Sequence, residues 1–480
     1  MTLKHFLSSE GMLPRNMEHG ELPGAGSMYM RYLRLAIPSV LEMVLISLIN
    51  MMDTVMVSGV GTDAVAAVGL VGQPRMLMLC FFFAVNAGIT AVVARRKGEQ
   101  RRDDACRVLR NAILLIFAMS LVLMAIFFPF AEPLMRFAGA EEGRTLEDST
   151  AYFLIVNSVL PLNAISMGIC AAQRGIGNTK LTMYVNITSN FVNILFNWLL
   201  INGIWFFPEL KVVGAAIATA IGLVVGCILA ILSVMLPRTK TSFLHISLRD
   251  DWRPDRTSIT DVTRVAGGAM VEQVVLRIGF FSYAKIVAGL GTNAFAAHQI
   301  DMQFLNLSFS FADGFGVAGT SLVGQNLGAK RKDLSHIFGK LAQRSAFMIS
   351  LILASCCIFL RGPLVSMFIS ENAEPGVREM AENVMIVVGV FQPFQMLSVV
   401  AAGALRGAGD VKYAARVMTI TVMLIRPILA FAAVYYFGTV LGNEPLALLG
   451  AWLASLSDMV TRMILFMRRY NAGKWHDIRV

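Results

Sequence analysis

Two carboxylates lie in one long apolar stretch near the start of the chain. Glu42 and Asp53 are 11 residues apart, which in a helix is about three turns, or about 16 Å, and places both side chains within about 20° of one face. An ionisable side chain at membrane depth costs at least ~2.5 kcal/mol, so it is expected to face protein or water. Two acids on one face of a membrane helix predict a path for a cation or a proton. The alternative is that one acid pairs with an arginine or a backbone amide.

Further acids occur in apolar segments of the second half. Glu272 has Arg277 five residues later as a possible partner. Asp301 and Asp313 are 12 residues apart, about 120° around a helix, so they cannot both face one site; we expect them as candidates for a polar substrate cavity. Asp410 lies beside basic residues, where a loop ion pair and a coupling site both fit it.

Charged side chains in the last two apolar segments suggest structural pairing. Arg426 is followed by Pro427 and could be a buried counter-charge. Asp458 and Arg462 are four residues apart, which favours a local ion pair on one helix.

A stripe of asparagines follows one face of another apolar segment. The spacing of four, three and four residues places them on one side of a helix; they are Asn186, Asn190, Asn193 and Asn197. Asparagines in membrane helices often join neighbouring helices, but such a stripe also suits a hydrated cavity for an ion or a drug. Both interpretations stay open.

The elements that carry these side chains are predicted to cross a membrane. The 480 residues are 56% hydrophobic and 15% charged, against about 25% charged in soluble domains, with a mean hydropathy of +0.65. Apolar runs of about 20 residues recur along the chain, each long enough to span a bilayer. The net charge of +10 does not indicate nucleic-acid binding, because the basic residues lie in short loops and act as topology signals.

We predict an all-α polytopic membrane protein with twelve transmembrane helices. The expected ranges are 33–58, 63–94, 109–136, 151–174, 180–203, 211–236, 262–289, 294–325, 335–361, 377–405, 412–438 and 445–468. The first six and the last six are repeats: GTDAVAAVG at Gly61–Gly69 returns as GTNAFAAHQ at Gly291–Gln299. Glu42 returns as Glu272, and Arg174 as Arg406. Two parallel six-helix halves around a central cleft are typical of transporters.

The loops predict the orientation and the domain boundaries. Alternate loops are rich in Lys and Arg, as at 95–110, or in acids, as at 141–148. Because basic loops stay in the cytoplasm, we expect a multi-pass protein of the cell membrane with both termini inside. The expected parts are a tail (1–30), a first lobe (31–237), a cytoplasmic linker (238–261), a second lobe (262–468) and a final tail (469–480).

Enzyme chemistry is not predicted. The six cysteines have no metal-ligand spacing, His298 belongs to no HExxH or triad arrangement, and no P-loop is present. We therefore expect no cofactor beyond a coupling cation, no nucleic acid and no obligate protein partner.

An ordered set of motifs resembles one known family. Ala36-Ile37-Pro38 leads to Met52-Asp53-Thr54, followed by GTDAVAAVG, ARRKGEQRRDDA and QRGIGNTK. GTNAFAAHQ, LVGQNLGAKRKD and LRGAGDVK follow in the second half. Over about residues 30–470 the chain resembles the MATE family, the multidrug and toxic compound extrusion transporters.

This resemblance implies twelve helices in two bundles that form a V-shaped cleft. It implies secondary antiport, in which inward flow of Na⁺ or H⁺ drives export of organic, often cationic and aromatic, compounds. Asp53 matches the family's acid of the first helix, Pro38 matches the proline at which that helix bends, and Asp410 matches a cation position of one prokaryotic branch.

The chain departs from the family pattern at two positions. Glu272 lies one turn before the glutamate that one branch has in helix seven, and Asn197 stands where another branch has a carboxylate in helix five. The resemblance therefore leaves the coupling ion open between Na⁺ and H⁺.

We expect an ion-coupled antiporter that exports amphiphilic organic cations by alternating access. Asp53, Glu42 and Glu272 would exchange the cation or proton for drug, and the asparagine stripe would hold the substrate. A flippase of lipid-linked precursors is the first alternative and would need a cationic cavity. A membrane-embedded enzyme is the second, and would need a His, Ser or metal constellation at membrane depth.

Overall fold

The structure is a computed structural model that describes residues 10–14, 17–204, 207–236, 242–368 and 375–478. Within these ranges the chain forms helices and turns, and no strand. The first residues of the predicted linker (238–241) and the acidic positions Glu371 and Glu374 lie outside the described residues.

The bounds of the helices follow the apolar segments. In chain order they are α1 (Ala25–Ser58), α2 (Thr62–Gly98), α3 (Arg102–Phe127), α4 (Ala131–Ala138), α5 (Arg144–Ser158), α6 (Leu160–Gly175), α7 (Thr179–Asn202), α8 (Lys211–Met235), α9 (Arg256–Ala288), α10 (Thr292–Gly328), α11 (Lys332–Phe359), α12 (Arg361–Ser366), α13 (Pro375–Gly407), α14 (Val411–Ile420), α15 (Arg426–Ala433) and α16 (Glu444–Asn471). Two π-helical segments, Thr421–Ile425 and Val434–Val440, flank α15.

The all-α membrane fold predicted from the sequence is confirmed. Among the described residues, nine helical segments are long and apolar enough to cross a membrane, and the pair α5 and α6, bent by 51°, is a tenth. Two further long helices, α7 and α10, carry the asparagine stripe and two of the acids, which lower their hydropathy. These segments together are consistent with the predicted twelve.

In two of the predicted helices a proline lies at a break. The helix expected over 109–136 ends as α3 at Phe127, and a short helix resumes at Ala131 after Pro129. The helix expected over 151–174 breaks between Ser158 and Leu160, and Pro161 lies in the first turn of α6. Proline lacks an amide hydrogen and its ring clashes with the preceding turn, so it is favoured in the first turn of a helix and disfavoured further inside.

Packing divides the chain into two compact units. One comprises Leu41–Met270, and the other comprises Val271–Arg479 together with the residues up to Val40. Both boundaries fall inside long helices, α1 and α9, so the units differ from the lobes 31–237 and 262–468. The lobes were predicted from the sequence repeat and not from packing, and this division of the chain stays a prediction.

Each unit has its own apolar core. In the unit Leu41–Met270, α2 packs against α5 and α6 around the fully buried Phe82 and Phe153. In the other unit, α13 packs against α10, α11 and α16, with Phe391 and Trp452 buried between helices. These long helix contacts determine which polar side chains meet inside each unit.

The described part of the linker is attached to the unit Leu41–Met270. Arg110 donates to Asp250 at 2.7 Å, and Ser258 donates to Asp255 through its hydroxyl and its backbone amide at 2.6 and 2.9 Å. The backbone amide of Ser247 and the Arg110 guanidinium lower the pKa of Asp250. The two hydrogen bonds from Ser258 lower the pKa of Asp255, the residue immediately before α9.

Candidate functional site

Glu42 lies in α1 with its charge fully compensated. It is completely buried and accepts hydrogen bonds from Asn186 at 2.6 Å, from Thr182 at 2.8 Å and from the Arg174 guanidinium at 3.3 Å. Of the two possibilities that the sequence left open for this acid, pairing with an arginine is the one seen in this structure.

Glu272 has the equivalent arrangement in the other unit. It is 1% exposed, and its partner is Arg406, whose guanidinium donates at 2.6 Å. The sequence had suggested Arg277, five residues away on the same helix, whereas Arg406 comes from the end of α13. The second carboxylate oxygen of Glu272 has no hydrogen-bond partner among the described residues. The charge of Glu272 is therefore stabilised mainly by Arg406, whereas Glu42 has two donors besides Arg174.

The two glutamate–arginine pairs are related by the repeat, and a glycine beside each arginine makes them possible. A Cβ atom on Gly175 would lie 2.8 Å from the carbonyl oxygen of Thr90, and one on Gly407 would lie 2.2 Å from that of Thr320. Thr90 and Thr320 are themselves 230 residues apart, which is the period of the repeat. Because glycine has no Cβ, the end of α6 can pack closely against α2, and the end of α13 can pack closely against α10.

These arginines were missed as partners by reasoning from the sequence. The signal was present, because Glu42 and Arg174 both recur in the second half as Glu272 and Arg406. A recurring charged pair of opposite sign could have indicated a contact within each half.

Asp53 lies about three turns after Glu42 on α1, and its partners are neutral. Asn197 donates to it at 2.9 Å. With the Asn193 carboxamide oriented so that its nitrogen faces the acid, that nitrogen donates to both carboxylate oxygens at 3.1 Å, and its oxygen accepts from Thr219. Asp53 forms no ion pair within 4 Å with a residue that the structure describes. Its negative charge is therefore held in place but not neutralised by contact.

A cavity of about 370 Å³ opens beside Asp53, inside the unit Leu41–Met270. It is lined by a mixture of polar and apolar groups that includes Asp53, Arg75, Tyr152, Asn190, Asn193 and Asn197. Three of the four stripe asparagines thus face the cavity, whereas Asn186 binds Glu42. Asn186 thus joins two helices, whereas the binding of an ion or a drug by the other three asparagines stays a prediction. Arg75 was missed, although an arginine after Pro74 in an apolar segment was visible in the sequence.

The remaining candidates belong to the other unit and are not among the residues that line this cavity. Asp301 is fully buried and Asp313 is exposed, in agreement with the expected 120° between them. Neither lines the cavity of Asp53, and their role in a substrate site stays a prediction. Asp410 pairs with Arg469 at 2.7 Å, so the ion-pair interpretation fits it in this structure.

The structural pairing expected near the end of the chain is present, with one added member. Arg462 donates to Asp458 at 2.6 Å, and Arg426 reaches the same carboxylate at 2.6 Å. All three side chains are buried, so the last helices are held together by an internal charged cluster.

Pro38 lies inside α1, which is continuous from Ala25 to Ser58. It stands two residues before the boundary between the packing units at Val40. Val40 itself is tightly packed, since a Cβ on Gly314 would lie 2.5 Å from its Cα. A hinge role for Pro38 stays a prediction.

Comparison with known proteins shows the family of this chain. The family model MatE matches residues 38–199 and 269–432, one match in each half. The chain is 29% identical to "Probable multidrug resistance protein NorM" of Thermotoga maritima, over 92% of each chain. It is 24% identical to "Multidrug resistance protein NorM" of Vibrio cholerae, over 93% of this chain and 96% of that one.

A solved structure shares the fold. It is described as the "Outward-facing conformation of a multidrug resistance MATE family transporter of the MOP superfamily". It superposes with a TM-score of 0.84 at 21% identity, covering 93% of this chain and 97% of that chain. Together with the two matches of the family model, this places the protein among multi-pass membrane transporters. The chain belongs to the MatE family, the MATE transporters that its motifs resemble.

Proposed function

We propose that this protein is a multidrug exporter that exchanges amphiphilic organic cations for Na⁺ or H⁺, with Asp53 as the acid for which drug and ion compete. The observation that carries the proposal is the state of Asp53. It is a partly exposed carboxylate at a polar cavity, it is held by amides, and no arginine or lysine among the described residues contacts it.

The surroundings of Asp53 suit an exchange between two positively charged ligands. Asn193 and Asn197 fix the carboxylate without cancelling its charge. A cationic drug in the cavity would be attracted by that charge, and a bound proton or sodium ion would remove the attraction. Because each ligand can shift the protein only through its differential binding, competition at one acid couples the two flows. The names of the NorM relatives support drugs as the exported class.

In this proposal Glu42 and Glu272 have a different role from Asp53. Each is buried against an arginine of its own unit, at 3.3 and 2.6 Å. They are expected to bind a coupling ion only when the arginine moves away, because in the geometry seen here the arginine already neutralises the carboxylate. They are therefore proposed as acids that exchange ions in another conformation, and Asp410 with Arg469 belongs to the same class.

The test is drug efflux from proteoliposomes, with Na⁺ and pH gradients imposed separately. Asp53→Asn is expected to abolish gradient-driven efflux at wild-type protein level, because asparagine retains the shape and loses the charge. Asp251→Asn, which changes an exposed acid of the linker, is the control and should leave efflux unchanged. Normal efflux by Asp53→Asn would remove this acid from the mechanism.

The lipid-linked precursor flippase remains as an alternative because Arg75 lines the same cavity. A flippase that binds pyrophosphate needs a cation there, whereas an exporter of organic cations does not. Arg75→Gln is therefore expected to retain drug efflux. Loss of transport in Arg75→Gln together with its retention in Asp53→Asn would favour the flippase.

A further inference from the structure

Asp301, in α10, has an unusual environment for an acid. It is fully buried, and neither of its carboxylate oxygens has a hydrogen-bond partner in the part of the chain that the structure describes. His298 lies one turn earlier on the same face, and its Nδ1 also has no partner among those residues. The imidazole centroid lies 5.6 Å from that of Tyr283 and 5.5 Å from that of Trp452. Two ionisable groups thus share an enclosed, aromatic environment.

Other buried acids of the same unit form ion pairs with arginine. Glu272, Asp410 and Asp458 each have an arginine nitrogen within 2.7 Å. Asp301 has neither such an arginine nor an amide donor among the described residues. The part of the fold that the structure describes therefore supplies no hydrogen-bond donor that would stabilise Asp301 as an anion.

An ionised carboxylate without a partner is strongly disfavoured in a dry interior, and such a group neutralises instead. We propose that Asp301 binds one exchangeable proton beside His298, at a site separate from the Asp53 cavity. On binding, a proton from water joins one carboxylate oxygen, and on release it returns to water, so no other reactant is needed. His298 stays neutral in this state, since an imidazolium beside the protonated acid would be an uncompensated buried charge.

The groups that face Asp301 favour a proton over a metal ion. Cys357 of α11 and Tyr283 of α9 are close enough to interact with it electrostatically. Beyond them, Arg426 and Arg462 both bind the carboxylate of Asp458, and neither donates a hydrogen bond to Asp301. A hard cation needs several oxygen ligands, whereas this environment offers a thiol, a phenol and aromatic rings. A proton requires no such coordination.

This inference rests on the proposed ion coupling and deepens it. The acid at the Asp53 cavity can be shared by drug and ion, but the enclosed Asp301 has no room for a drug. A proton at Asp301 would therefore add to the number of protons exchanged without competing directly for the drug. Variants of Asp53 should then change drug binding, whereas variants of Asp301 should change the number of protons exchanged.

Infrared spectroscopy of the purified full-length protein in lipid nanodiscs tests the site. The carboxylic acid C=O band of a protonated Asp301 is expected in the wild type at neutral pH and should shift on transfer to D₂O. It should be missing in Asp301→Asn and present in both Asp53→Asn and the matched control Asp313→Asn, which changes an exposed acid of the same helix. His298→Gln is the second variant and should move this band without removing it.

Proton counting completes the test. In proteoliposomes, Asp301→Asn is expected to move about one proton fewer per drug molecule transported than the wild type, at unchanged drug affinity. A spectrum of Asp301→Asn identical to that of the wild type would overturn the proposal, since Asp301 would then be ionised. If the band is missing in Asp301→Asn but the proton count equals that of the wild type, the proposal is also overturned, because the proton on Asp301 would then not be exchanged. If Asp53→Asn transports normally while Asp301→Asn loses its proton, only the proposed function at Asp53 fails.

Discussion

Replacing Arg406 with methionine is expected to destabilise the protein more than the same replacement of Arg174. Methionine keeps much of the apolar length but removes the charge. Glu272 would lose the partner that lies 2.6 Å away, and its other oxygen already has no partner among the described residues. Removing one member of a buried ion pair costs about 3–5 kcal/mol, because the remaining charge stays buried.

Arg174→Met is expected to cost less because Glu42 keeps two other donors. Thr182 and Asn186 donate at 2.8 and 2.6 Å, closer than Arg174 at 3.3 Å. The loss is then one hydrogen bond to a charged group, about 1.5–3 kcal/mol. The two arginine side chains are similarly exposed, 15% and 22%, so exposure does not account for the difference. We expect the variants to differ by about 1–2 kcal/mol.

The measurement is the free energy of unfolding in detergent micelles, followed by tryptophan fluorescence. Arg136→Met is the control, because Arg136 and its partner Glu132 are 51% and 56% exposed and such pairs contribute about 0–1 kcal/mol. Adding Glu272→Gln to Arg406→Met should restore part of the stability by removing the unpaired charge. Equal losses for Arg406→Met and Arg174→Met, or a larger loss for Arg174→Met, would refute the argument.

Three further predictions concern packing, the linker and the charged cluster. Gly407→Ala should reduce thermal stability more than Gly175→Ala, because the added Cβ would lie 2.2 rather than 2.8 Å from a backbone oxygen; equal melting temperatures would contradict this. The pKa of Asp255 is lowered in the folded state, so its contribution is present above the unfolded value of about 3.9 and is lost as pH falls below it. Pepsin should therefore cleave the linker of the wild type faster as pH drops below about 4. The linker of the Asp255→Asn variant should be cleaved rapidly at every pH tested. Asp458→Asn should lower the unfolding free energy by about 3–5 kcal/mol by leaving two buried arginines unpaired, and a loss as small as that of a surface variant would contradict the buried cluster.

The sequence alone was sufficient for the fold class and for identifying the acids that lie in apolar helices. Apolar runs of membrane-spanning length and a 230-residue repeat follow directly from residue order, because the bilayer imposes one length and one hydrophobicity on every spanning helix. Helical periodicity also placed the asparagines on one face and separated Asp301 from Asp313 correctly. These are properties of single helices, and they need no knowledge of neighbours.

Only the tertiary structure decided which acids are paired with arginine and which are not. Glu42, Asp53 and Asp301 look alike in the sequence, since each is an isolated acid in an apolar helix. Their environments differ because Glu42 meets Arg174, 132 residues away in the chain, Asp53 meets two amides beside a cavity, and Asp301 meets aromatic rings. Such contacts depend on how helices pack, and periodicity within one helix carries no information about the partner that faces it.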